Sequence, residues 1–165
     1  MKHKYYYHLV FLITVILIMS LDQLTKRVAE NTLFFNESFE ILGNYIRLSY
    51  VENTGAAFGI LKDKKIILIS ISIIAVIWII WYYLKTTEID IVEMGAMAII
   101  IGGALGNLYD RIFRGYVVDF FDVGINSYRW PAFNIADISI SLSICIWIVY
   151  SVYKDIKKKQ SHSVS

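Results

Sequence analysis

Residues 66–84 read IILISISIIAVIWIIWYYL. No charge interrupts this run, and about 20 apolar residues of helix cross a bilayer. The stretch therefore predicts a transmembrane helix, and the rest of the chain is organised around it. Residues 91–109, IVEMGAMAIIIGGALGNLY, form a second run whose one charge, Glu93, sits at an end. A third, 135–153, is IADISISLSICIWIVYSVY, with Asp137 near its start. Residues 9–21, LVFLITVILIMSL, reach spanning length once Tyr5, Tyr6, Tyr7 and His8 are added. A cleaved signal peptide would also start with basic residues and a short apolar run. However, the small-x-small cleavage pattern is missing, and MSLDQLTK at 19–26 continues as good helix.

Composition agrees with the blocks. Of 165 residues, 57% are hydrophobic and 18% charged, against roughly 45–50% and about 25% in soluble domains. The mean hydropathy is +0.55. Disordered chains are poor in apolar residues and rich in charge, so disorder is excluded. A net charge of +2 without a basic stripe points away from nucleic acid. One cysteine, Cys145, excludes an internal disulfide framework and any multi-cysteine zinc cluster. The one proline, Pro131, leaves long helices unbroken.

The expectation is an all-α membrane protein of one domain, 1–165. Its four transmembrane helices lie at about 6–26, 66–84, 91–109 and 135–153, and both termini lie on one side. Lys154, Lys157, Lys158 and Lys159 in the tail 154–165, with Lys2 and Lys4, place that side in the cytoplasm. Lys62, Lys64 and Lys65 oppose this, because they fall in an outer loop, and the inner loop offers only Lys85 against Glu88, Asp90 and Glu93. Aromatic belts support it: Trp78, Trp81, Tyr82 and Tyr83 close one span, and Trp147, Tyr150 and Tyr153 another. The outer loops are then 28–65 and 111–134. In the first, 39–42 and 45–51 flank Gly43-Asn44, a dipeptide suited to a type II′ or I′ hairpin turn. A small extracytoplasmic β-sheet between helices 1 and 2 is expected at the membrane surface.

Elimination narrows the chemistry. All three histidines lie in or near the tails; there is no HExxH, no G-x-S-x-G and no Gly-rich phosphate loop. Cys145 sits in an apolar span without a partner and reads as packing. Polar residues at membrane depth remain, and each is costly enough to be a functional candidate. They gather at one level: Asp22, Gln23 and Lys26; Asn53; Asn107, Asp110 and Arg111; Asp119; Asn134 and Asp137.

Most have a plain structural alternative. Asp22 and Lys26, four apart, could be a helix-surface ion pair. Asn53-Thr54-Gly55 could be only a turn, and Arg111 could snorkel to headgroups. Asn134 and Asp137 have the spacing of a helix cap. Gly102 and Gly106, with Ala98, suit close helix packing. Asp119, in VVDFFD, is harder to dismiss: a carboxylate among Val117, Val118, Phe120 and Phe121 should hold its proton more tightly than usual. If Asp137 approached it, the pair would share a proton, as aspartyl proteases require.

These residues also carry a resemblance. DQLTK (22–26), NTGAAFG (53–59), GGALGNLYDR (102–111), VVDF (117–120) and FNIAD (133–137) together resemble lipoprotein signal peptidase, or signal peptidase II. Five motifs in family order run from the first helix to the fourth and through both outer loops. The resemblance implies a multi-pass protein of the bacterial cytoplasmic (inner) membrane with both termini cytoplasmic and the site near the outer face. It implies an aspartyl endopeptidase that cuts diacylglyceryl-modified prolipoproteins before the lipidated cysteine. Asp119 and Asp137 would be catalytic, and Asn53, Asn107, Arg111 and Asn134 would bind substrate. Asp22, Lys26 and Gly55 would support them. No metal or cofactor is expected; the partners would be the prolipoprotein, membrane lipid and globomycin-type inhibitors, and the chain is expected to be a monomer. Two rivals stand beside this: a small proton-coupled carrier, which predicts polar residues through the bilayer depth, and a helix-packing assembly protein, which leaves Asp119 without a role.

Overall fold

A computed structural model describes residues 2–33, 38–86 and 90–163. Glu88 of the inner loop and residues 34–37 of the first outer loop lie outside them. Four long apolar helices dominate: α1 (Lys2–Thr32), α2 (Lys65–Lys85), α3 (Ile91–Phe113) and α4 (Ile135–Ser163). Each exceeds its apolar run. The polar ends of α1 and α3 and the lysine-rich end of α4 are good helix formers, and nothing in them breaks the ladder. Arg111, expected at the outer end of the third span where the second outer loop begins, lies within α3, and the basic tail is helical through Ser163.

The central helix is α3, packed against the other three. Met97 and Ala98 are fully buried, and Ile101 nearly so. α1, α2 and α4 turn long rows of Ile, Leu and Val outward, as lipid-facing helices do. Adjacent glycines let α3 sit close to two neighbours. A Cβ on Gly102 would come within 2.9 Å of the Val15 carbonyl oxygen of α1, and one on Gly103 within 2.8 Å of the Ala136 carbonyl oxygen of α4. A Cβ on Gly106 would strike the Asp22 carboxylate. Nothing lies within 4 Å of one on Gly95. Gly103→Ala is therefore expected to cost about 1–3 kcal/mol by overpacking, whereas Gly95→Ala should be neutral or slightly stabilising. Thermal unfolding in detergent compares them, and equal stability would remove the close-packing role.

The expected hairpin is present, β1 (Ser38–Leu42) with β2 (Ile46–Asn53). Tyr45 N–H donates to the Leu42 carbonyl at 3.0 Å, closing a two-residue turn in which Gly43 has φ +47°. The sheet is larger than expected. β2 also pairs with β3 (Val117–Ile125), which pairs with β4 (Tyr128–Arg129), giving the antiparallel order β1-β2-β3-β4. Asp119 is thus on a strand, opposite Val51, and not in a loop. Asp122, on the same strand, holds the sheet together, with ion pairs to Arg47 at 2.7 Å and Arg129 at 2.8 Å. Burial pushes its carboxyl up, and the two arginines more than reverse this, so it sits below the usual range.

The ends of α1, α3 and α4 that carry the conspicuous polar residues meet beneath this sheet. At the opposite end, the Asp90 side chain caps α3 by accepting from Val92 N and Glu93 N. Lys154 bridges Asp90 at 2.8 Å and Glu93 at 3.0 Å, and His8 lies 2.7 Å from the Tyr83 hydroxyl.

Candidate active site

Asn107, Asp110 and Arg111 occupy neighbouring positions on α3, and helical spacing sends them to different partners. Asp110 turns to α1. There Lys26, fully buried, sits 2.8 Å from Asp22 and 2.7 Å from Asp110, both also fully buried. This corrects the surface-pair reading of Asp22 and Lys26. The i, i+4 pair exists, but it lies inside the bundle because Asp110 supplies a second carboxylate from α3. Asp110 also accepts from Gln23 at 3.0 Å and pairs with Arg114, which reaches Glu30 at 3.0 Å. The other oxygen of Asp22 accepts the Ala136 backbone N–H at 3.0 Å, tying α1 to the first turn of α4.

The third proton of Lys26 goes to Asn107 Oδ1 at 2.8 Å. An ammonium only donates, so this contact sets which way the Asn107 amide faces. Its Nδ2 then donates to Asp137 Oδ1 at 2.8 Å. Asp137 and Asn134 form a reciprocal cap: Asp137 N–H donates to Asn134 Oδ1 at 3.0 Å, and Asn134 N–H to Asp137 Oδ2 at 3.2 Å. The cap reading is therefore correct as geometry. It leaves the buried Asn134 Nδ2 uncommitted to the cap, and that group donates to Asp119 Oδ1 at 2.7 Å, with longer contacts to Asn107 Oδ1 at 3.2 Å and the Val118 carbonyl at 3.3 Å.

Asn134 reaches Asp119 because Phe133 joins the edge of β3. Phe121 N–H donates to the Phe133 carbonyl at 2.9 Å, and Phe133 N–H to the Phe121 carbonyl at 3.1 Å. From the other side, Asn53 at the end of β2 donates through Nδ2 to Asp119 Oδ2 at 2.9 Å. Its Oδ1 accepts from Gly55 N–H at 2.9 Å, so the turn reading of this segment also holds. The Gly55 carbonyl takes Arg111 Nη2 at 3.1 Å, and a Cβ there would lie 3.0 Å from the Ile60 carbonyl oxygen. Every polar residue singled out from the sequence thus joins one connected network. Asp110 has a larger place in it than its spacing suggested, because its partner lies 84 positions away.

Asp119 is 1% exposed. Burial first, and the nearby charge of Asp137 second, push its carboxyl up to about 7; Asn53 and Asn134 moderate the rise. Asp119 and Asp137 both border a cavity of about 520 Å³. Its polar wall includes Asn53, Asn107 and Arg111, and its apolar wall comes from Val117, Ile138, Ile140 and Leu142. Two carboxyl groups on one cavity, one still protonated near neutral pH, can act as acid and base on a water molecule between them.

Arg111 brings a positive charge to both carboxylates, and its buried Nε has no protein partner among the described residues. Arg111→Lys keeps a charge but loses the planar fork that anchors on the Gly55 carbonyl. It is expected to spare thermal stability and lower turnover about tenfold, roughly the value of one lost charged hydrogen bond. Undiminished turnover would remove Arg111 from the site.

Comparison with known proteins follows the same line. A sequence model of the family described as signal peptidase (SPase) II matches residues 14–153. A lipoprotein signal peptidase of Staphylococcus haemolyticus (strain JCSC1435) is 36% identical over 160 residues, covering 97% of this chain and 100% of the relative. One from Syntrophus aciditrophicus (strain SB) is 37% identical over 155 residues, covering 91% and 96%. Two solved structures, each described as a bacterial membrane enzyme, are 32% identical. One superposes with a TM-score of 0.82 over 91% of both chains, the other with 0.78 over 88% of this chain and 94% of its own.

Proposed function

Because the chain belongs to the signal peptidase II family, we propose that it removes the signal peptide from diacylglyceryl-modified prolipoproteins as an aspartyl endopeptidase, cutting before the lipidated cysteine. The observation that carries this reading is the pair Asp119 and Asp137 on one cavity, each oxygen held by an N–H donor. Asp137, acting as the base, takes a proton from the water between them. The resulting oxygen attacks the scissile carbonyl, and Asp119 gives its proton to the carbonyl oxygen. Collapse of the tetrahedral species breaks the C–N bond: the proton held by Asp137 passes to the leaving amine, and one hydroxyl of the tetrahedral carbon returns a proton to Asp119 as the C=O bond re-forms. No covalent enzyme intermediate forms. Arg111 and the asparagine amides hold substrate carbonyls beside the dyad, where preset donors in a dry wall act strongly.

The site then faces the outer side of the bacterial membrane, with both termini in the cytoplasm. The lysine-rich end of α4 and the ring contacts Trp78–Tyr82 and Tyr82–Trp147 at the far end of the bundle support that orientation. The diacylglyceryl chains stay in lipid beside α4. Two prolipoproteins of one sequence, with and without the diacylglyceryl group, test the substrate class on the purified protein. The lipidated one should be cut and the other spared. Equal cutting of both, or of neither, would contradict the reading.

A further inference from the structure

A second cavity, about 340 Å³, meets the first at Asp119. Asn53, Ala56, Asp119, Pro131 and Ala132 form walls of both. Beyond this junction the two differ. The first cavity continues along α3 and α4, down an apolar strip of α4. The second contains no residue of the four helices; its remaining walls are β2 and the loop after it, including Glu52, Thr54 and Lys62.

The loop that walls the second cavity is built. Ala56 N–H donates to the Ile60 carbonyl at 2.8 Å, and Lys62 N–H to the Gly59 carbonyl at 3.2 Å. Phe58 holds φ +59° and sets its ring edge-on to Trp130 at 5.0 Å. A non-glycine residue in the left-handed region costs energy and persists where its surroundings fix it.

We propose that this second cavity is the seat of the mature side of the substrate: a short, extended, polar polypeptide segment that follows the lipidated cysteine. The inference rests on the peptidase reading above. An endopeptidase holds chain on both sides of the bond it cuts, and each extended residue advances about 3.3–3.6 Å. A chain whose carbonyl sits at Asp119 therefore passes from one cavity into the other. Its two halves differ in chemistry. The apolar signal segment matches the helix-lined cavity, and the acyl chains of the cysteine that follows it leave from there into lipid beside α4. The polar mature segment matches the cavity outside the helices, where Glu52 and Lys62 offer one charge of each sign and so accept side chains of either.

Disulfide trapping tests this. Lys62→Cys and, separately, Thr54→Cys are placed in a Cys145→Ser, Asp137→Asn background. That removes the exposed native thiol and leaves the substrate uncut. Each is mixed with a diacylated prolipoprotein carrying one thiol, two or three residues after the lipidated cysteine or the same distance before it. The mature-side thiol should cross-link at least about tenfold more than the signal-side thiol at one of the two positions, as an extended chain of that reach requires. Equal yields, a signal-side preference, or no cross-link at either position would overturn the assignment and leave the second cavity to water. The unsubstituted protein on the same prolipoprotein reads the peptidase activity separately, so its failure to cut is distinguishable from failure of the trap.

Discussion

Asp119→Asn and Asp137→Asn should each lower turnover of a diacylated prolipoprotein by about a thousandfold or more, because neither carboxyl can activate or protonate alone. The double variant should lose little beyond either single one. The pH profile follows from the same pair. Asp119 must carry a proton to act as the acid, and its carboxyl is pushed up to about 7, so activity should fall as pH rises through that value. Asp137 must be ionised, so activity should also fall on the acid side, and the two apparent constants belong to the pair. Stability has its own sign. A carboxyl whose folded pKa is raised stabilises the fold while protonated, and loses that contribution as pH rises from about 4 to about 7. The amide introduced by Asp119→Asn would also set its NH₂ against the Asn53 or Asn134 amide, at about 1–3 kcal/mol. Asp119→Asn should therefore unfold more readily than the parent at pH 5, with the gap narrowing by pH 8. Asp122→Asn, on the same strand but bonded to Arg47 and Arg129, should keep most activity. Calorimetry and turnover on one set of proteins check all of this.

Lys26→Met should be the most damaging change away from the dyad. Lys26 is fully buried and its three protons go to Asp22, Asp110 and Asn107. Removing the ammonium strands Asp22 with no cation and leaves Asp110 only Arg114, and breaking a buried pair costs about 3–5 kcal/mol. A second loss falls on chemistry. Without Lys26 the Asn107 oxygen loses the shorter of its two donors, and only Asn134 Nδ2, at 3.2 Å, still holds it away from Asp137. Lys26 is thus a positioning residue, and its test separates the two effects. Lys26→Met with Asp22→Asn restores part of the charge balance and should recover thermal stability, while turnover stays at least about tenfold down with KM little changed, the signature of an interaction lost in the transition state. Recovery of turnover along with stability would make Lys26 purely structural.

The four helices were legible because lipid imposes a plain rule: long apolar runs with charges only at their ends. The hairpin was legible from Gly43-Asn44 and the alternation of Ile46, Leu48 and Tyr50. β3 was not, because Val117–Phe120 is buried throughout and so carries little alternation of apolar and polar residues; its β-branched and aromatic composition was the available signal. The cap formed by Asn134 and Asp137 follows from a spacing of three. That Asn134 also grips Asp119 depends on Phe133 pairing with Phe121, a contact no local pattern announces. Asp110 stayed in the background for a similar reason. A lysine four residues after an aspartate suggests its partner at once, and the second partner sits on another helix.

Cleavage by the Asp119–Asp137 pair is tested most directly by mass spectrometry of products from the purified protein and a diacylated prolipoprotein, with a chelator present throughout. Two products divided immediately before the lipidated cysteine are expected, at an undiminished rate in chelator, and no products from well-folded Asp137→Asn. A cut elsewhere, loss of activity to the chelator, or normal cutting by that variant would contradict this mechanism.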